Sequence, residues 1–213
     1  MKDIAIYGAG GFGREIACLI NNINEVSPIW NIVGFFDDGK EIGTKNEYGT
    51  ILGGIEEINQ WAKSLSVVIA IGSPNVVEKV VTRIENSNID FPNIISPDIV
   101  FLDRENASLG KGNIICTGCL ISCNVHIGDF NIFNGYITIG HDVRIENYNS
   151  LMPAVRISGN VNIGNLNFFG VSSIVLQENT IGNNTSIGAN SVIIKKTKDG
   201  FTYIGNPAIK LKF

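Results

Sequence analysis

A chain of 213 residues with 44% hydrophobic residues has room for two compact units, each with its own core. A net charge of -4 and the lack of a basic run argue against binding to nucleic acid or to an anionic membrane surface. The first residues read as a strand and no apolar run approaches the length of a membrane span, so we expect a cytoplasmic protein.

The first hundred residues alternate strands and helices. A buried strand over residues 3–8 leads through a glycine turn into a helix that continues to about Asn24, and a second strand covers residues 32–36. A helix at about 54–63, a third strand at 67–71 and another helix follow. This alternation predicts an α/β, Rossmann-like domain around a small parallel sheet, which we assign to residues 1–95.

The glycine turn points to an anionic ligand. Gly8, Gly10 and Gly13 match the dinucleotide fingerprint, in which bare N–H groups and a helix N-terminus approach a diphosphate. Asp37 and Asp38 stand where an acidic residue accepts hydrogen bonds from a ribose or a base. Because fewer than a hundred residues precede the next region, a nucleotide-linked ligand fits better than a nicotinamide dinucleotide.

From Leu109 to Ile193, an aliphatic or phenylalanine side chain returns at every sixth residue. That period fits neither a helix nor an alternating strand, and it is the hexapeptide signature of a parallel β-helix. Three hexapeptides form one coil, so residues eighteen apart should be stacked about 4.8 Å apart. We expect four to five coils without an inserted loop from Leu109 to Ile193. The β-helix domain is assigned to residues 96–213, with a C-terminal cap from Lys195 onward. One column should hold Ile127, Ile145, Ile163 and Ile181.

Three of the four cysteines resemble a metal cluster. However, the six-residue register puts Cys116, Cys119 and Cys123 in three different slots, so that their side chains should point in different directions. Because a tetrahedral site needs four convergent ligands, we expect reduced thiols and no metal.

The chain has two histidines, and each is a candidate acid–base catalyst. His141 should lie at a corner beside Asp142, which can fix the tautomer of an acid–base catalyst. Gly159, eighteen residues later, should stack directly above it, and its N–H could donate to an oxyanion during acyl transfer. Spacing alone leaves an idle corner histidine equally open. His126 has no adjacent carboxylate, which favours a non-catalytic role.

Five segments occur in a characteristic order: residues 8–13 (GAGGFG), 34–38 (GFFDD), 70–72 (AIG), 140–142 (GHD) and 204–208 (IGNPA). In this order and spacing the chain resembles the bacterial sugar acetyltransferases of the PglD/NeuD type over essentially its whole length. The resemblance implies a nucleotide-sugar-binding α/β domain followed by a left-handed β-helix that binds acetyl-CoA, assembled as a homotrimer.

The resemblance also implies roles for individual residues. The catalytic set is His141, Asp142, Asn134 and Gly159, where the Gly159 amide meets the thioester carbonyl. The nucleotide sugar would be held by Gly10, Gly11, Phe12, Gly13, Asp37, Asp38 and Gly72. Coenzyme A would be held by Gly159, Gly205, Asn206 and Pro207.

The expected reaction is transfer of an acetyl group from acetyl-CoA to the C4 amino group of a nucleotide-linked amino-deoxysugar, by direct attack with His141 as general base. A hydroxyl acceptor, as in sialic acid O-acetylation, remains an alternative. So do a non-catalytic nucleotide-sugar-binding protein and a zinc hydratase resembling γ-type carbonic anhydrase, although the latter takes three histidines and the chain has two. The nucleotide and the sugar stay open.

Association is expected on physical grounds as well. We expect Val143, Val155, Val161 and Phe168 to lie on outward, apolar prism faces that pair around a closed symmetry axis.

Overall fold

The computed structural model describes residues 1–211; Lys212 and Phe213, which fall within the predicted C-terminal cap, lie outside the described residues. The chain divides into two compact units, one of Met1–Pro97 and one that begins at Asp98. Within residues 1–211, no helix combines the length and the apolar character that crossing a bilayer requires.

The first unit is built on a six-stranded sheet in the order β3-β4-β2-β1-β5-β6. Its strands are β1 (Lys2–Tyr7), β2 (Trp30–Phe36), β3 (Lys45–Asn46), β4 (Gly49–Gly53), β5 (Leu65–Ile69) and β6 (Ile89–Asp90), and β7 (Ile94–Ile95) follows them. Its helices are α1 (Gly11–Val26), α2 (Ile55–Asn59) and α3 (Pro74–Arg83). All sheet pairings are parallel except β3 with β4, so the expected α/β domain is confirmed.

The core of this unit lies around the central strands. All five residues of β5 are buried, as expected of a parallel strand covered on both faces. Helix α1 presents Ile16, Ile20 and Ile23 to the core, at the spacing of one helical face.

Two local features differ from the sequence expectation. Helix α2 ends at Asn59 and does not continue to residue 63. The Asn59 side chain donates to the Arg83 carbonyl and accepts the Glu85 N–H. The hairpin of β3 and β4 was not expected, since β3 has only two residues and both are polar. Its turn is held by Asn46, whose Oδ1 accepts the N–H groups of Tyr48 and Gly49.

The second unit consists mainly of two-residue strands that recur every six residues. They are β8 (Val100–Phe101), β9 (Ser108–Leu109), β10 (Ile114–Ile115), β11 (Leu120–Ile121), β12 (His126–Ile127), β13 (Ile132–Phe133), β14 (Thr138–Ile139), β15 (Arg144–Ile145), β16 (Ser150–Leu151), β17 (Arg156–Ile157), β18 (Asn162–Ile163), β19 (Phe168–Phe169), β20 (Ile174–Val175), β21 (Thr180–Ile181), β22 (Ser186–Ile187) and β23 (Val192–Ile193). Two longer strands close the unit, β24 (Thr202–Gly205) and β25 (Ala208–Lys210).

These strands stack into three parallel faces. The first face contains β10, β13, β16, β19 and β22; the second β8, β11, β14, β17, β20 and β23; the third β9, β12, β15, β18 and β21. Ile127, Ile145, Ile163 and Ile181 are paired in sequence along the third face. The column and the eighteen-residue coil that the hexads predicted are therefore confirmed, as is the left-handed β-helix fold that the resemblance implies.

The interior is filled by the second residue of each strand. From Ile115 to Ile193 every such side chain is at most 3% exposed, whereas Leu109 in the outermost coil is half-buried. The corner residue two positions earlier also points inward. Val143, Val155 and Val161 occupy this slot with no exposure, so the expectation that they form outward faces is wrong. Each hexapeptide buries two side chains rather than one.

The three faces meet at three corners. The histidine corner comprises residues 122–125, 140–143, 158–161 and 176–179, between the second and third faces. The asparagine corner comprises residues 128–131, 146–149, 164–167 and 182–185, between the third and first faces. The remaining corner comprises residues 116–119, 134–137, 152–155, 170–173 and 188–191 and is called the third corner.

The asparagine corner is held together by side-chain ladders. Deep in the corner, Asn131 and Asn149 each donate a backbone N–H, at 2.9 Å, to the side-chain oxygen of the asparagine eighteen residues earlier. Nearer the surface, Asn147 donates its N–H to Asn165 Oδ1 at 3.0 Å, and Asn165 donates to Asn183 Oδ1 at 2.8 Å. Each coil therefore satisfies the corner amides of its neighbour.

The C-terminal segment covers an edge of the first face. Strand β24 pairs in parallel with β22 and in antiparallel with β25. An edge strand that would otherwise present free backbone groups is thereby paired.

Candidate active site

A hydrogen-bonded histidine–aspartate pair lies at the histidine corner. His141 Nδ1 is 2.8 Å from Asp142 Oδ2, and Asn124, one coil earlier, donates its side-chain amide to Asp142 Oδ1 at 2.5 Å. The Asn124 and His141 hydrogen bonds hold the pKa of Asp142 below its ordinary value. An ionised Asp142 only accepts hydrogen bonds, so it places the proton on Nδ1 and leaves the Nε2 lone pair of His141 available as a base.

The imidazole of His141 lies directly over Gly159. A Cβ added at residue 159 would stand 2.5 Å from His141 Nε2 and 2.6 Å from Cε1. Only a residue without a side chain permits this approach. The stacking that the eighteen-residue spacing predicted is present: Asn160, next to Gly159, donates its N–H to the His141 carbonyl at 2.8 Å.

The Gly159 amide is open to a ligand. Among residues 1–211 its N–H makes no hydrogen bond, because residue 177, one coil further, does not accept it as Asn165 and Asn183 accept the amides beneath them. The side chains of His141 and Asp142 are 61% and 50% exposed, so the same corner is accessible to substrate. The imidazole of His141 and the Gly159 residue thus lie next to each other at one exposed corner.

Asn134 does not join this group within one chain. It lies at the third corner, where its Oδ1 accepts the Gly135 N–H at 2.8 Å and its backbone N–H donates to the Leu151 carbonyl. One full strand of the second face, β14, separates it from His141.

The Gly205-Asn206-Pro207 segment is also at the third corner. It forms the turn between β24 and β25, with a cis Asn206–Pro207 bond, and Gly205 donates its N–H to Ser191 Oγ at 3.0 Å. Within a single chain, the expected coenzyme residues are therefore divided between Gly159 at one corner and residues 205–207 at another.

In the first unit, the expected substrate residues come together at one edge of the sheet. Gly10 is the N-cap of α1, and Gly10 and Gly11 have open space where a Cβ would lie, as has Gly72 after β5. Gly13 has a structural role, because an added Cβ would stand 1.9 Å from the Gly8 carbonyl oxygen. Phe12 is half-buried.

Asp37 and Asp38 lie at the same edge, but both carboxylates already bind protein groups. Asp37 accepts the N–H groups of Ala9 at 2.8 Å and Gly39 at 2.9 Å. Asp38 accepts the Tyr7 hydroxyl at 2.8 Å and the Ile55 N–H at 2.9 Å. A cavity of about 430 Å³ lies beside both aspartates.

Sequence reasoning missed several residues at these sites. Asn124 could have been found, because it stands eighteen residues before Asp142 in the stack. Arg14, Lys40 and Lys45 line a cavity of about 290 Å³ next to Ala9 of the glycine turn. These three cations come from separate segments of the chain, so no single sequence motif predicts that they lie together.

Metal chemistry has no support in the geometry. In the part of the chain that the structure describes, no three His, Cys, Asp or Glu side chains are grouped closely enough to hold an ion. Within residues 1–211, none of the four cysteines forms a disulfide, and burial raises the pKa of the Cys119 thiol to about 11. The other histidine, His126, has its Nδ1 atom 2.7 Å from Ser108 Oγ.

Comparison with known proteins agrees with this architecture. The family model of the PglD N-terminal domain matches residues 3–84. The acetyltransferase domain of PglB from Neisseria gonorrhoeae FA1090, solved in complex with acetyl coenzyme A, superimposes with a TM-score of 0.88 at 25% identity over 99% of each chain. The resemblance to the PglD/NeuD-type sugar acetyltransferases is confirmed.

Other structures of this type share the whole fold. WeeI from Acinetobacter baumannii AYE gives a TM-score of 0.87 at 27% identity, over 99% of this chain and all of that one. A histidine-to-asparagine mutant of perosamine N-acetyltransferase from Caulobacter crescentus, in complex with CoA and GDP-perosamine, gives 0.89 at 23% identity over 100% and 98%. No curated protein matches the sequence significantly. The expected class, an acetyl-CoA-dependent sugar acetyltransferase, agrees with the gonococcal acetyltransferase domain and its bound acetyl coenzyme A.

Proposed function

We propose that the chain transfers an acetyl group from acetyl-CoA to the C4 amino group of a nucleotide-linked amino-deoxysugar. The observation that carries the proposal is the Asp142-oriented imidazole of His141 directly over the unoccupied amide of Gly159. General-base and oxyanion functions are the two that direct acyl transfer requires. The solved complex of the gonococcal PglB domain with acetyl coenzyme A supports the choice of donor.

The reaction follows from the positions of these groups. The amine nitrogen attacks the thioester carbonyl while His141 Nε2 takes the proton that nitrogen loses. The carbonyl oxygen becomes anionic and accepts the Gly159 N–H. Collapse of the tetrahedral intermediate breaks the carbon–sulfur bond, and the imidazolium returns its proton to the departing thiolate. Asp142 stabilises the transient imidazolium without itself being protonated.

The first unit is the proposed binding site for the nucleotide sugar. Its support is the open space at Gly10, Gly11 and Gly72 and the cations Arg14 and Lys40 close to the glycine turn. Bare amides at a helix N-terminus next to cationic side chains suit a diphosphate. Since both Asp37 oxygens already bind backbone amides, its proposed role is to shape the turn.

A homotrimer is part of the proposal. Asn134 and residues 205–207 lie at the third corner, so a second copy is needed to bring them to a His141. The second face carries the apolar side chains Leu120, Ile174 and Val192, and exposed hydrophobic residues flank it at both corners, among them Tyr136, Val171, Leu176 and Ile194. Apolar area of this kind marks an interface. Light scattering that finds a lone subunit would contradict this assembly.

The location proposed is the cytoplasm. No disulfide joins the four cysteines, all of which lie within residues 1–211. Cysteines that form no disulfide are typical of proteins in reducing compartments.

The direct test is thiol release from acetyl-CoA with UDP-, dTDP- and GDP-linked 4-amino sugars as acceptors, using native protein and His141→Ala. Removing a general base should lower kcat by about a hundredfold to ten-thousandfold. Full turnover by the variant would reject His141 as the base. Free sialic acid is assayed in parallel, and preference for it would replace the amine acceptor by a hydroxyl.

A further inference from the structure

One cation stands in an otherwise uncharged row on the second face. The strands of this face turn their second residue inward and their first residue outward. The outward row combines apolar side chains with one hydroxyl and one arginine: Val100, Leu120, Thr138, Arg156, Ile174 and Val192. Arg156 is exposed. Apolar area of this kind marks a contact surface, so the charge within it needs a partner of opposite sign when that surface is covered.

Arg156 is held at the edge of the second face beside the third corner. Its Nη1 donates to the Tyr136 carbonyl oxygen at 3.0 Å and to the Thr138 hydroxyl, both one coil earlier. Tyr136 itself belongs to the third corner. Within residues 1–211, no carboxylate forms an ion pair with Arg156. Because both acceptors are neutral, the guanidinium keeps its full charge and has further donors for an external carboxylate.

The opposite edge of the second face is acidic. The histidine corner carries the carboxylates of Asp142 and Glu178 and contains neither lysine nor arginine. The hydrogen bonds with Asn124 and His141 hold the pKa of Asp142 below its ordinary value, so this carboxylate is ionised at neutral pH. The third corner contains no acidic residue. The two edges of the face therefore differ in the sign of their charge.

A ring of three copies joins these two edges. In a cyclic trimer with the second face turned towards the symmetry axis, the third corner of each copy lies beside the histidine corner of the next, because a head-to-tail interface joins different surfaces. The proposed function requires the same neighbours, since it brings Asn134 to His141 of the partner subunit. Opposite charges on the joined edges favour this arrangement over contacts between like edges.

The symmetry also fixes the height at which Arg156 meets the next copy. A rotation about an axis parallel to the prism leaves every atom at its own axial height. The guanidinium reaches back to Thr138, which lies on the same coil as His141 and Asp142. At about 4.8 Å for a whole coil, this short stretch rises by only about 1 Å. The guanidinium and the His141–Asp142 pair of the partner subunit therefore lie at one level.

We propose that Arg156 pairs with Asp142 of the partner subunit and thereby helps to hold the partner subunit's His141 in its catalytic orientation. The inference rests on the proposed function and on its homotrimer. Within its own chain, Asp142 accepts one hydrogen bond from Asn124 and one from His141. A carboxylate has about four acceptor positions, so a guanidinium can bind to it as well. Arg156 is then a positioning residue, because it acts on the reaction through Asp142.

The first test measures turnover and assembly of Arg156→Ala. Loss of a charge-assisted hydrogen bond should lower kcat by about tenfold to a hundredfold, while KM for acetyl-CoA stays within about twofold of native. Arg156→Gln should behave in the same way. Arg156→Lys keeps the charge and should retain kcat within about fivefold of native. Light scattering should find trimers for all three variants, since the apolar row remains.

The second test shows which copy Arg156 serves. His141→Ala and Arg156→Ala subunits, each with its own affinity tag, are produced together and purified through both tags, so that every trimer contains both kinds. In such a ring, one of the three sites combines a native His141 with a native Arg156 of the adjacent copy, whichever variant is present twice. Mixed trimers should therefore reach about one third of native kcat, well above either parent.

Asp142→Asn provides the matched control, because Asp142 and His141 belong to the same chain. Trimers that combine His141→Ala with Asp142→Asn subunits contain no site in which both residues are native. Their kcat should not exceed that of the Asp142→Asn parent.

Each contrary result overturns the inference in a different way. Native kcat in Arg156→Ala and Arg156→Gln removes Arg156 from the site. A lowered kcat without recovery in the mixed trimers confines the action of Arg156 to its own chain, and a lone subunit in light scattering removes the interface. Failure of the native protein to release thiol from acetyl-CoA with any acceptor would instead reject the proposed function, on which the inference depends.

Discussion

The asparagine corner and the histidine corner share one backbone and differ in what their side chains do with it. At the asparagine corner, Asn147, Asn165 and Asn183 each accept an amide from the coil before. At the equivalent slots of the histidine corner stand His141 and Gly159, and the Gly159 N–H is left without a partner in the described residues. The first corner is closed by its own ladder, and the second is open to a ligand.

The difference shows how a repeat fold acquires a site. A ladder satisfies backbone groups and contributes to stability at every rung. Interrupting it at one rung frees a donor that the neighbouring coils hold in a fixed position. The imidazole then needs only to be oriented, which Asp142 and Asn124 accomplish.

Among the variants that test this comparison between the corners, Gly159→Ala should lower kcat the most. The new methyl group would lie 2.5 Å from His141 Nε2 and displace the ring, so kcat should fall by at least about a hundredfold, the lower end of the range for loss of a general base. The melting temperature should stay close to native, because the clash is with an exposed side chain. Calorimetry and thiol release measure the two effects.

Gly140→Ala is the matched control for that variant. Its added Cβ would stand 2.6 Å from the Gly159 backbone nitrogen, which cannot swing away. We expect destabilisation by about 1–3 kcal/mol. Equal thermal stability of the two variants would show that the corner backbone tolerates both changes and would contradict the distinction.

Asp142→Asn should have the next largest effect. Asp142 has φ near 57°, a conformation that asparagine tolerates, so the fold should persist. Without the carboxylate the imidazole loses its fixed tautomer, and we expect kcat to fall about a hundredfold, at the lower end of general-base contributions. A native kcat in this variant would show that Asp142 is not needed to orient His141.

Asn124→Gly sharpens the comparison further, because it removes the support of Asp142 while glycine keeps the positive φ of that position. We expect kcat to fall by about fivefold. The pKa of Asp142 should rise towards its ordinary value, since the Asn124 hydrogen bond is the main cause of its depression. NMR titration of the carboxyl carbon measures this.

The sign of the pH effect follows from that depression. Asp142 has a lower pKa in the folded chain, so its stabilising interactions are complete above the ordinary pKa and are lost as pH falls through the lowered one. In Asn124→Gly this loss should begin at a higher pH than in the native protein. Identical titration curves would count against Asn124 as the support.

The smallest effect on activity is expected at the asparagine corner. Asn165→Ala breaks one rung and leaves the Asn147 N–H without its acceptor, which should cost about 1 kcal/mol and lower the melting temperature by about 2–4 °C. Turnover should be unchanged. A loss of activity that exceeds the loss of folded protein would mean that the two corners are not independent.

The fold of the coil could be predicted because an apolar side chain recurs at every sixth residue of the sequence. The error at Val143, Val155 and Val161 arose because the hexad marks one inward position, whereas the corner turns a second side chain inward. The α/β unit was predicted by alternation, but the β3–β4 hairpin depends on a local Asn46 turn rather than on a hydrophobic pattern.

The site could be predicted only where the repeat itself fixes a neighbour. His141, Asp142 and Gly159 come together through adjacency and an eighteen-residue step, both of which can be counted on the sequence. Asn134 and residues 205–207 lie at a different corner, so their part in the site depends on the proposed homotrimer. The hydrogen bonds from Tyr7 and Ile55 to the two Asp38 oxygens could not be predicted from the sequence either, since they join three distant segments.

Because the coils pair at eighteen-residue intervals, the distance between His141 and the amide at the histidine corner can change only in whole coil steps. Inserting or deleting a single residue between His141 and Gly159 would turn inward side chains outward and abolish the alignment altogether, while a whole added coil would move the amide by one full step. Gradual adjustment of that distance is therefore inaccessible to small changes in chain length. Evolution of new specificity is confined to replacing side chains on a fixed lattice.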